Sequence, residues 1–189
     1  MPQRKKVLKV DESISLHLPE VKMAQELYTV INQQRNYLGE WLVWVERTKT
    51  VKDVQVFLKE AGIFNRGGQR LITFIKYDGK IVGSLGFIKL DKPNKKGEIG
   101  YWLSKELQGK GIITKACEKL IEYAFQHLDL NRILIKMNAQ NNKSKAIPRR
   151  MGFTYEGTLR QDRFRDNKFH DTEIFSLLKK EWIERNAVI

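Results

Sequence analysis

The chain of 189 residues is 41% hydrophobic and 10% aromatic. This composition excludes a disordered chain, and the length predicts a single domain over residues 1–189. The formal net charge of +13 favours an anionic partner, which charge alone leaves open among nucleic acid, membrane, acidic protein and phosphorylated ligand.

The cysteine content and the hydrophobic pattern limit the compartment. Cys117 is the single cysteine, so an intramolecular disulfide is excluded. The sequence has no run of about 18 apolar residues, as a membrane span requires, and no apolar signal-peptide core follows its basic start. We therefore expect a cytoplasmic protein.

The first third of the chain predicts one strand and three helical segments. Residues 7–18 alternate loosely between apolar and polar, as in a strand, and residues 20–35 carry apolar side chains at helical spacing. The aromatic stretch 37–45 is typical of a short helix and loop. Another helix is predicted over 50–64, with the glycine pair 67–68 at its end.

The rest of the chain mixes strands and helices. Strands are predicted at 70–77, 80–90 and 97–104, the first two joined by the hairpin turn Asp78-Gly79 and the last preceded by the basic turn 92–96. The clearest helix covers 111–128. A strand at 132–138, a short helix at 143–151 and strands at 153–163 and 171–179 follow. The pattern indicates a mixed α/β domain whose central sheet is covered by helices.

A glycine loop joins the strand 97–104 to the long helix. Gly109 and Gly111 permit positive φ and a close approach of ligand to main chain. The helix that follows presents free N–H groups and the positive end of its dipole. Such a junction suits a diphosphate, with Lys110 and Lys115 adding charge, although a plain turn is the alternative. Neither a P-loop nor a dinucleotide-binding fingerprint is present.

This loop resembles the signature of the GNAT superfamily of N-acetyltransferases. The family pattern is Gln/Arg-x-x-Gly-x-Gly/Ala, and the chain has Gln108-Gly109-Lys110-Gly111-Ile112-Ile113, departing at the last position. Further similarities, spread over about residues 10–180, are to the RimJ/RimL subgroup, which acetylates protein N-termini, notably of ribosomal proteins. They are Gly100-Tyr101-Trp102-Leu103, Thr114, Asn141-x-x-Ser144, Met151-Gly152-Phe153, Glu156-Gly157, Tyr37-Leu38 and Trp41-Leu42-x-Trp44.

The resemblance implies a fold and a co-substrate. The GNAT fold has a central, mixed, twisted sheet of about seven strands flanked by helices, and the family uses acetyl-coenzyme A and no metal. The pantetheine arm would pair with the strand before the loop, and the diphosphate would bind main-chain amides from residue 108 to 114. The implied coenzyme site comprises Tyr101, Trp102, Leu103, Gln108, Gly109, Lys110, Gly111, Ile112, Ile113, Thr114, Asn138 and Asn141. The basic residues Lys145, Arg149, Arg150 and 92–96 are either phosphate contacts or solvated surface.

The catalytic residues are implied less completely. The resemblance assigns protonation of the thiolate to Ser144, for which the alternative is an N-cap of the helix after it. RimL-type enzymes carry a glutamate nineteen residues further on, where this chain has Arg163. Glu98 is our preferred general base and Asp162 the second candidate, while a water relay or an already neutral amine stays open.

Aromatic residues near position 40 are candidates for the acceptor groove. Tyr37, Trp41 and Trp44 would line it, unless they are simply core. Cys117 lies on the apolar face of the long helix, so we expect it to be buried and the acetyl group to pass directly to the amine in a ternary complex. The three histidines show no metal-binding spacing.

Three functions remain open at this point. The resemblance favours acetylation of a protein N-terminal α-amine, with an acidic ribosomal protein as the acceptor that the basic surface would suit. A small amine acceptor (an antibiotic, a polyamine or a toxic aminoacyl compound) is the alternative. A non-catalytic module that binds coenzyme A or RNA is the third. Relatives imply a homodimer or a higher homo-oligomer.

Overall fold

The computed structural model describes residues 7–187, and within them one sheet of eight strands carries six α-helices. The strands are β1 (Val7–Lys9), β2 (Ile14–His17), β3 (Leu71–Tyr77), β4 (Lys80–Asp91), β5 (Lys96–Leu103), β6 (Arg132–Asn138), β7 (Thr154–Arg165) and β8 (Lys168–Leu178). The helices are α1 (Ala24–Gln33), α2 (Arg35–Gly39), α3 (Val51–Gly67), α4 (Ile112–His127), α5 (Asn142–Arg150) and α6 (Lys179–Ala187). Short 3-10 turns occur at Val21–Met23, Val43–Arg47 and Lys105–Leu107.

The sheet is antiparallel except at its centre. Its strand order is β1-β2-β3-β4-β5-β6-β8-β7, and β5 pairs with β6 in parallel. That pairing ends at Ile99 and Ile135. Residues 100–103 of β5 stay paired with β4, while β6 continues to Asn138 beside β8. The two central strands therefore diverge. Over residues 100–103, the main-chain N–H and C=O groups of β5 that point toward β6 are not paired with that strand and can bond to another partner.

Hydrophobic cores lie on both faces of the sheet. The larger core packs α4 against the sheet and includes Phe87, Ile99, Ile133 and Phe175. The smaller core packs α1 and α3 against the other face, around Phe74. Strand residues alternate between these cores because successive side chains point to opposite faces. The positions of Ile99 and Leu103 in the larger core thus place Trp102, which packs on the smaller core, on the opposite face.

Most predicted elements are present with adjusted ends. The Asp78-Gly79 turn has the positive φ values, 48° and 78°, that a tight hairpin requires. The helix α3 begins at a capping box formed by Thr50 and Asp53 and ends at Gly68, which has φ 71°. The long helix α4 has the predicted apolar face buried.

The structure differs from the sequence prediction in two places. The predicted strand 7–18 is two strands, because Asp11 accepts hydrogen bonds from the main-chain N–H groups of Ser13 and Ile14 (3.0 and 2.8 Å) and turns the chain. This raises the strand count to eight. The last strand runs into the helix α6, which the sequence analysis missed. Its first turn is anchored by Glu181, whose carboxylate accepts from the Leu178 N–H at 2.8 Å.

The ends of the chain lie outside the described residues. The predicted domain 1–189 includes residues 1–6 and 188–189, so its limits stay a prediction. Within residues 7–187, no helix is long and apolar enough to cross a membrane.

Candidate active site

The glycine loop between β5 and α4 has the geometry of an anion cradle. Gly109 and Gly111 have φ values of 77° and 75°, and Gly111 occupies the N-cap position of α4 without a side-chain cap. A Cβ built at either glycine meets no atom within 4 Å. The first turn of α4 thus presents its N–H groups to open space. This combination fits a diphosphate, because bare amides and the positive helix end both favour negative charge.

Two of the predicted coenzyme residues can contribute only through the main chain. The side chains of Ile112 and Ile113 are buried in the larger core. The Thr114 hydroxyl accepts from Arg150 at 3.1 Å. The main-chain N–H of Gln108 already donates to the Lys105 carbonyl at 3.3 Å, so we place the start of the cradle at Gly109, one residue later than predicted.

The Gln108 side chain connects three elements of the site. Its amide nitrogen donates to the Tyr37 hydroxyl, and its amide oxygen accepts from Lys143 at 3.0 Å. Burial raises the pKa of Tyr37 above its ordinary value, so the phenol stays protonated. The cradle is thereby tied to α2 on one side and to the start of α5 on the other. Neither contact is visible in the sequence, since each joins residues far apart in the chain.

The basic residues near the cradle divide into engaged and free groups. Lys115 pairs with Asp11 at 2.9 Å, and Lys145 pairs with Glu173 at 2.6 Å with only 12% of its side chain exposed. Arg149 lies over the Phe175 ring. Each of these side chains already has a partner within the protein, and the predicted phosphate contacts of Lys115, Lys145 and Arg149 stay predictions. The exposed Lys110 of the loop stays a candidate.

The loop 92–96 is engaged in the same way. Lys95 pairs with Asp129 at 2.9 Å, and Lys96 lies 3.4 Å from Asp91. Both pairs hold the β4–β5 turn in place, and they lie at the opposite end of β5 from the glycine loop. Surface pairs of this kind contribute little stability. Lys95 and Lys96, two of the lysines that were candidates for phosphate contacts, are therefore in ion pairs at the far end of β5.

Ser144 meets Tyr101 where β5 and β6 diverge. The Ser144 hydroxyl donates to the Tyr101 oxygen at 3.2 Å, and the Tyr101 hydroxyl donates to the Ser144 carbonyl at 3.0 Å. Burial raises the pKa of Tyr101 well above its ordinary value, so it remains a protonated donor. Tyr101 was expected on the strand along the coenzyme, but its contact with Ser144 is not visible in the sequence, because the two residues are 43 positions apart.

The N-cap of α5 is Asn141, so Ser144 does not have the N-cap role that was the alternative to its proposed role as an acid. The Asn141 side-chain oxygen accepts from the Ser144 N–H at 3.0 Å. The Ser144 hydroxyl is therefore not needed for capping.

Asn138, the last residue of β6, accepts from the Gln140 N–H at 2.8 Å and supports the turn before α5.

The two candidate bases lie on different strands. Glu98 is 15% exposed, on the Trp102 face of β5, and its carboxylate is 3.2 Å from the Lys136 ammonium of β6. Asp162 lies in an irregular part of β7, where residues 160–162 together face Asp171 alone. Because of this bulge, the faces of Asp162 and Arg163 cannot be read from simple strand alternation.

The predicted acceptor aromatics lie on the Trp102 face. The rings of Trp44 and Trp102 are 6.2 Å apart between centroids. Tyr37 and Trp44 pack on the edge of the smaller core, and Trp41 follows the end of α2. The β7–β8 hairpin reaches the same region, since Arg165 donates to the Gly39 carbonyl and, at 2.9 Å, to that of Glu40.

Cys117 is fully buried in α4. Burial raises its pKa well above the ordinary range, so the sulfur stays a neutral thiol and is a poor nucleophile. This environment favours direct transfer over a covalent acyl-enzyme. Among residues 7–187 no three His, Cys, Asp or Glu side chains form a group that could hold a metal ion.

Comparisons with known proteins agree with this geometry. The acetyltransferase (GNAT) domain family matches residues 15–154. The chain is 40% identical to the putative ribosomal N-acetyltransferase YdaF of Bacillus subtilis (strain 168), over 92% of this chain and 96% of that one. It is 29% identical to the ribosomal-protein-serine acetyltransferase of Escherichia coli (strain K12), over 89% and 94% of the two chains.

A solved structure extends the comparison to the coenzyme. The microcin C7 self-immunity acetyltransferase MccE, in complex with acetyl-CoA and AMP, superimposes with a TM-score of 0.87 at 38% identity, covering 90% of this chain and 95% of that one. The mixed sheet flanked by helices is therefore the GNAT fold, and the cradle that precedes α4 fits the acetyl-CoA that this family uses. The chain belongs to the GNAT family and is an acetyl-CoA-dependent N-acetyltransferase.

Proposed function

We propose that this enzyme acetylates the N-terminal α-amine of a protein, with a ribosomal protein as acceptor, by direct transfer in a ternary complex. The observation that carries the proposal is the likeness to the putative ribosomal N-acetyltransferase, which at 40% identity covers 92% of the chain. The ribosomal-protein-serine acetyltransferase also matches almost the whole chain. The net charge of +13 suits an acidic acceptor, since opposite charge speeds encounter.

The divergence of β5 and β6 supports direct transfer. Residues 100–103 offer main-chain groups to a pantetheine arm, and the cradle at Gly109 and Gly111 would hold the diphosphate at one end of that strand. A thioester carried this way ends near the Tyr101–Ser144 pair. Ser144 would turn its hydroxyl hydrogen from the Tyr101 oxygen to the departing sulfur and give up that proton, and the Tyr101 hydroxyl would then donate to the Ser144 oxygen. A main-chain amide near Leu103 would polarise the carbonyl.

The general base is proposed as Glu98, with Asp162 as the second candidate. Glu98 shares the Trp102 face with the proposed acceptor groove of Tyr37, Trp41 and Trp44. Its carboxylate lies 3.2 Å from the Lys136 ammonium, which holds the side chain in place on that face. An α-amine, whose pKa is about 8, needs little assistance near neutral pH, whereas a lysine at about 10.4 needs more. A weak base is therefore compatible with an α-amine acceptor.

The experiment is a thiol-release assay with acetyl-CoA and matched peptides. One peptide begins with serine and has no lysine, the second is the same peptide with its N-terminus already acetylated, and the third is acetylated at the N-terminus and contains one lysine. We expect thiol release with the first peptide only. Release with the third peptide alone, or with none, would contradict the proposal, and mass spectrometry identifies the modified nitrogen.

A small-molecule acceptor is the second candidate function. It is supported by the 38% identity to the self-immunity acetyltransferase whose structure holds acetyl-CoA and AMP. If the acceptor site accommodates a nucleotide-linked amine, AMP should compete with the serine peptide in the thiol-release assay. Competition, together with faster turnover of an aminoacyl nucleotide than of the peptide, would favour this function. No effect of AMP at millimolar concentration would favour the protein acceptor.

A homodimer stays a proposal that sedimentation measurements can test.

A further inference from the structure

Unpaired buried polar atoms cluster on β8. Within residues 7–187, three solvent-inaccessible side-chain atoms have no hydrogen-bond partner: His170 Nε2, Thr172 Oγ1 and Glu173 Oε2. A buried polar atom without a partner costs about 1–3 kcal/mol, and such atoms are rare in native proteins. All three atoms lie within four consecutive positions of β8.

The three atoms lie on two faces of the sheet. Glu173 lies on the α5 face, where its other oxygen pairs with Lys145 at 2.6 Å. His170 and Thr172 lie on the opposite face, because alternate strand residues share a face and Phe175 belongs to the larger core. Glu173 is thus explained by its ion pair, while His170 and Thr172 are left without a structural role.

The face of Thr172 is also the face of Trp102. Met137 is part of the larger core, so its neighbour Asn138 points to the other side, and Thr172 is the register partner of Asn138. Trp102 points to that side as well, since Leu103 is in the larger core. Asn138 ends β6 where it diverges from β5. Thr172 therefore lies at the open end of the central strands, on the side of the acceptor aromatics.

The hairpin brings His170 to the same region. In the β7–β8 ladder His170 pairs with Arg163, and Lys168, two positions before His170, pairs with Arg165. Arg165 holds the hairpin against the end of α2 through the Gly39 and Glu40 carbonyls. The face that carries His170 is therefore turned toward α2.

The cation opposite His170 does not compete for its nitrogen. Arg163 is 54% exposed, and its Nε lies 4.0 Å from the Asp162 carboxylate. The Arg163 guanidinium can only donate hydrogen bonds. It forms none to His170 Nε2, which therefore has no donor from this side chain. The imidazole nitrogen thus has no partner among residues 7–187, and because it is solvent-inaccessible a ligand reaches it only by displacing the atoms that cover it.

We propose that His170 and Thr172 form the subsite for the amino end of the acceptor. The imidazole nitrogen and the hydroxyl oxygen would each accept an N–H, one from the amine and one from the first peptide group. This inference rests on the proposed function, which it deepens by naming residues that recognise the acceptor. An acceptor without these hydrogens leaves both atoms unsatisfied in a site shielded from water, so the pair selects for polar, hydrogen-bonding acceptors.

The test uses two nearly isosteric variants and two matched controls. Thr172→Val removes only the hydroxyl, and His170→Phe keeps a ring but removes both nitrogens. Thr154→Val and His127→Phe make the same changes at exposed positions on β7 and at the end of α4. Kinetics with the serine peptide at saturating acetyl-CoA, calorimetry of the peptide with the coenzyme A-loaded protein, and thermal unfolding are measured for all four.

We expect the peptide KM and Kd to rise roughly five- to tenfold in Thr172→Val and in His170→Phe, as loss of a hydrogen bond in a buried site predicts. The affinity for acetyl-CoA should stay within twofold, and both controls should match the wild type. Thr172→Val should unfold at the same or a higher temperature, because no partner of the hydroxyl is lost.

The outcomes separate this inference from the proposed function. Peptide acetylation by wild type with unchanged KM and Kd in both variants would overturn the subsite and leave the function standing. A lower unfolding temperature for Thr172→Val would assign the hydroxyl a structural role and also overturn it. Peptide binding that weakens in the variants, without any turnover by wild type, would support the subsite and refute the function. A wild type that neither binds nor acetylates the peptide would refute both.

Discussion

The cradle can be tested by a glycine substitution whose cost in folding stability can be measured separately at a second glycine in the same chain. In Gly111→Ala the new Cβ meets no atom within 4 Å, so the direct structural penalty is the strain of φ 75° on an L-residue. That strain is about 1 kcal/mol. For a chain of this size, 1 kcal/mol corresponds to about 2–4 °C in Tm. The methyl group also projects into the open space before α4, where a diphosphate would have to approach the amides.

Gly79 supplies a matched control. It has φ 78° and no atom within 4 Å of a built Cβ, but it lies in the β3–β4 hairpin. Gly79→Ala and Gly111→Ala should therefore lower Tm by the same 2–4 °C. Only Gly111→Ala should weaken acetyl-CoA binding, by tenfold or more, since a displaced phosphate loses charge-assisted hydrogen bonds worth about 1.5–3 kcal/mol each.

The assay is titration calorimetry with acetyl-CoA, together with thermal unfolding of both variants. If Gly111→Ala binds acetyl-CoA as tightly as Gly79→Ala does, the amides at the start of α4 do not hold the diphosphate. In that case the positive φ values and the open space at the glycine loop do not mark a diphosphate site. A weakened Gly79→Ala would instead mean that the lost affinity reflects general destabilisation.

Three further outcomes are expected. Ser144→Ala should lower kcat by about 10- to 100-fold while the KM for acetyl-CoA changes little, as loss of a general acid predicts. Asn65→Ala should lower Tm by about 4–8 °C, because the buried amide donates to the Ile72 carbonyl and accepts from its N–H, both at 2.8 Å. Asp11→Asn should destabilise the protein near neutral pH, because it removes the ion pair with Lys115, and the effect should vanish in acid.

The pH dependence of the Asp11 variant follows from the sign of its shift. The Lys115 ammonium and then the Ile14 N–H hold the pKa of Asp11 below its ordinary value in the folded protein. The stabilisation is therefore present above the unfolded value of about 3.9 and is lost as the pH falls through the folded value. Equal destabilisation at pH 7 and at pH 2, measured by urea unfolding, would contradict this account.

Controls for the other two variants are available in the chain. Asn141→Ala removes the N-cap of α5 and should cost about 1 kcal/mol of stability, while Ser144→Ala should leave Tm unchanged. If Ser144→Ala instead retains full kcat, the acid must be another group, and Tyr101→Phe then identifies whether the phenol supplies the proton. Asn94→Ala, an exposed amide in the β4–β5 turn, serves as the neutral comparison for Asn65→Ala.

Local elements were predictable because each depends on residues close in sequence. The helix α4 carries a continuous apolar face, the β3–β4 turn has an Asp-Gly pair, and α3 has its own capping residues. The same holds for the cradle, since Gly109 and Gly111 lie in the loop directly before α4. The prediction failed at α6, whose nine residues contain no fully buried side chain and so give a weak helical pattern.

The sequence by itself determined the class of fold, the glycine loop before α4 and, through a resemblance that spans most of the chain, the family. These depend on periodicity and on short contiguous motifs. Only the tertiary structure decided that Ser144 meets Tyr101, that Gln108 links Tyr37 to Lys143, and that Lys145 is committed to Glu173. It also decided that His170 and Thr172 lie on the Trp102 face of the sheet with a buried side-chain atom that has no partner among the described residues. The physical reason is that side-chain partners are set by strand register and bulges, which bring together residues tens of positions apart.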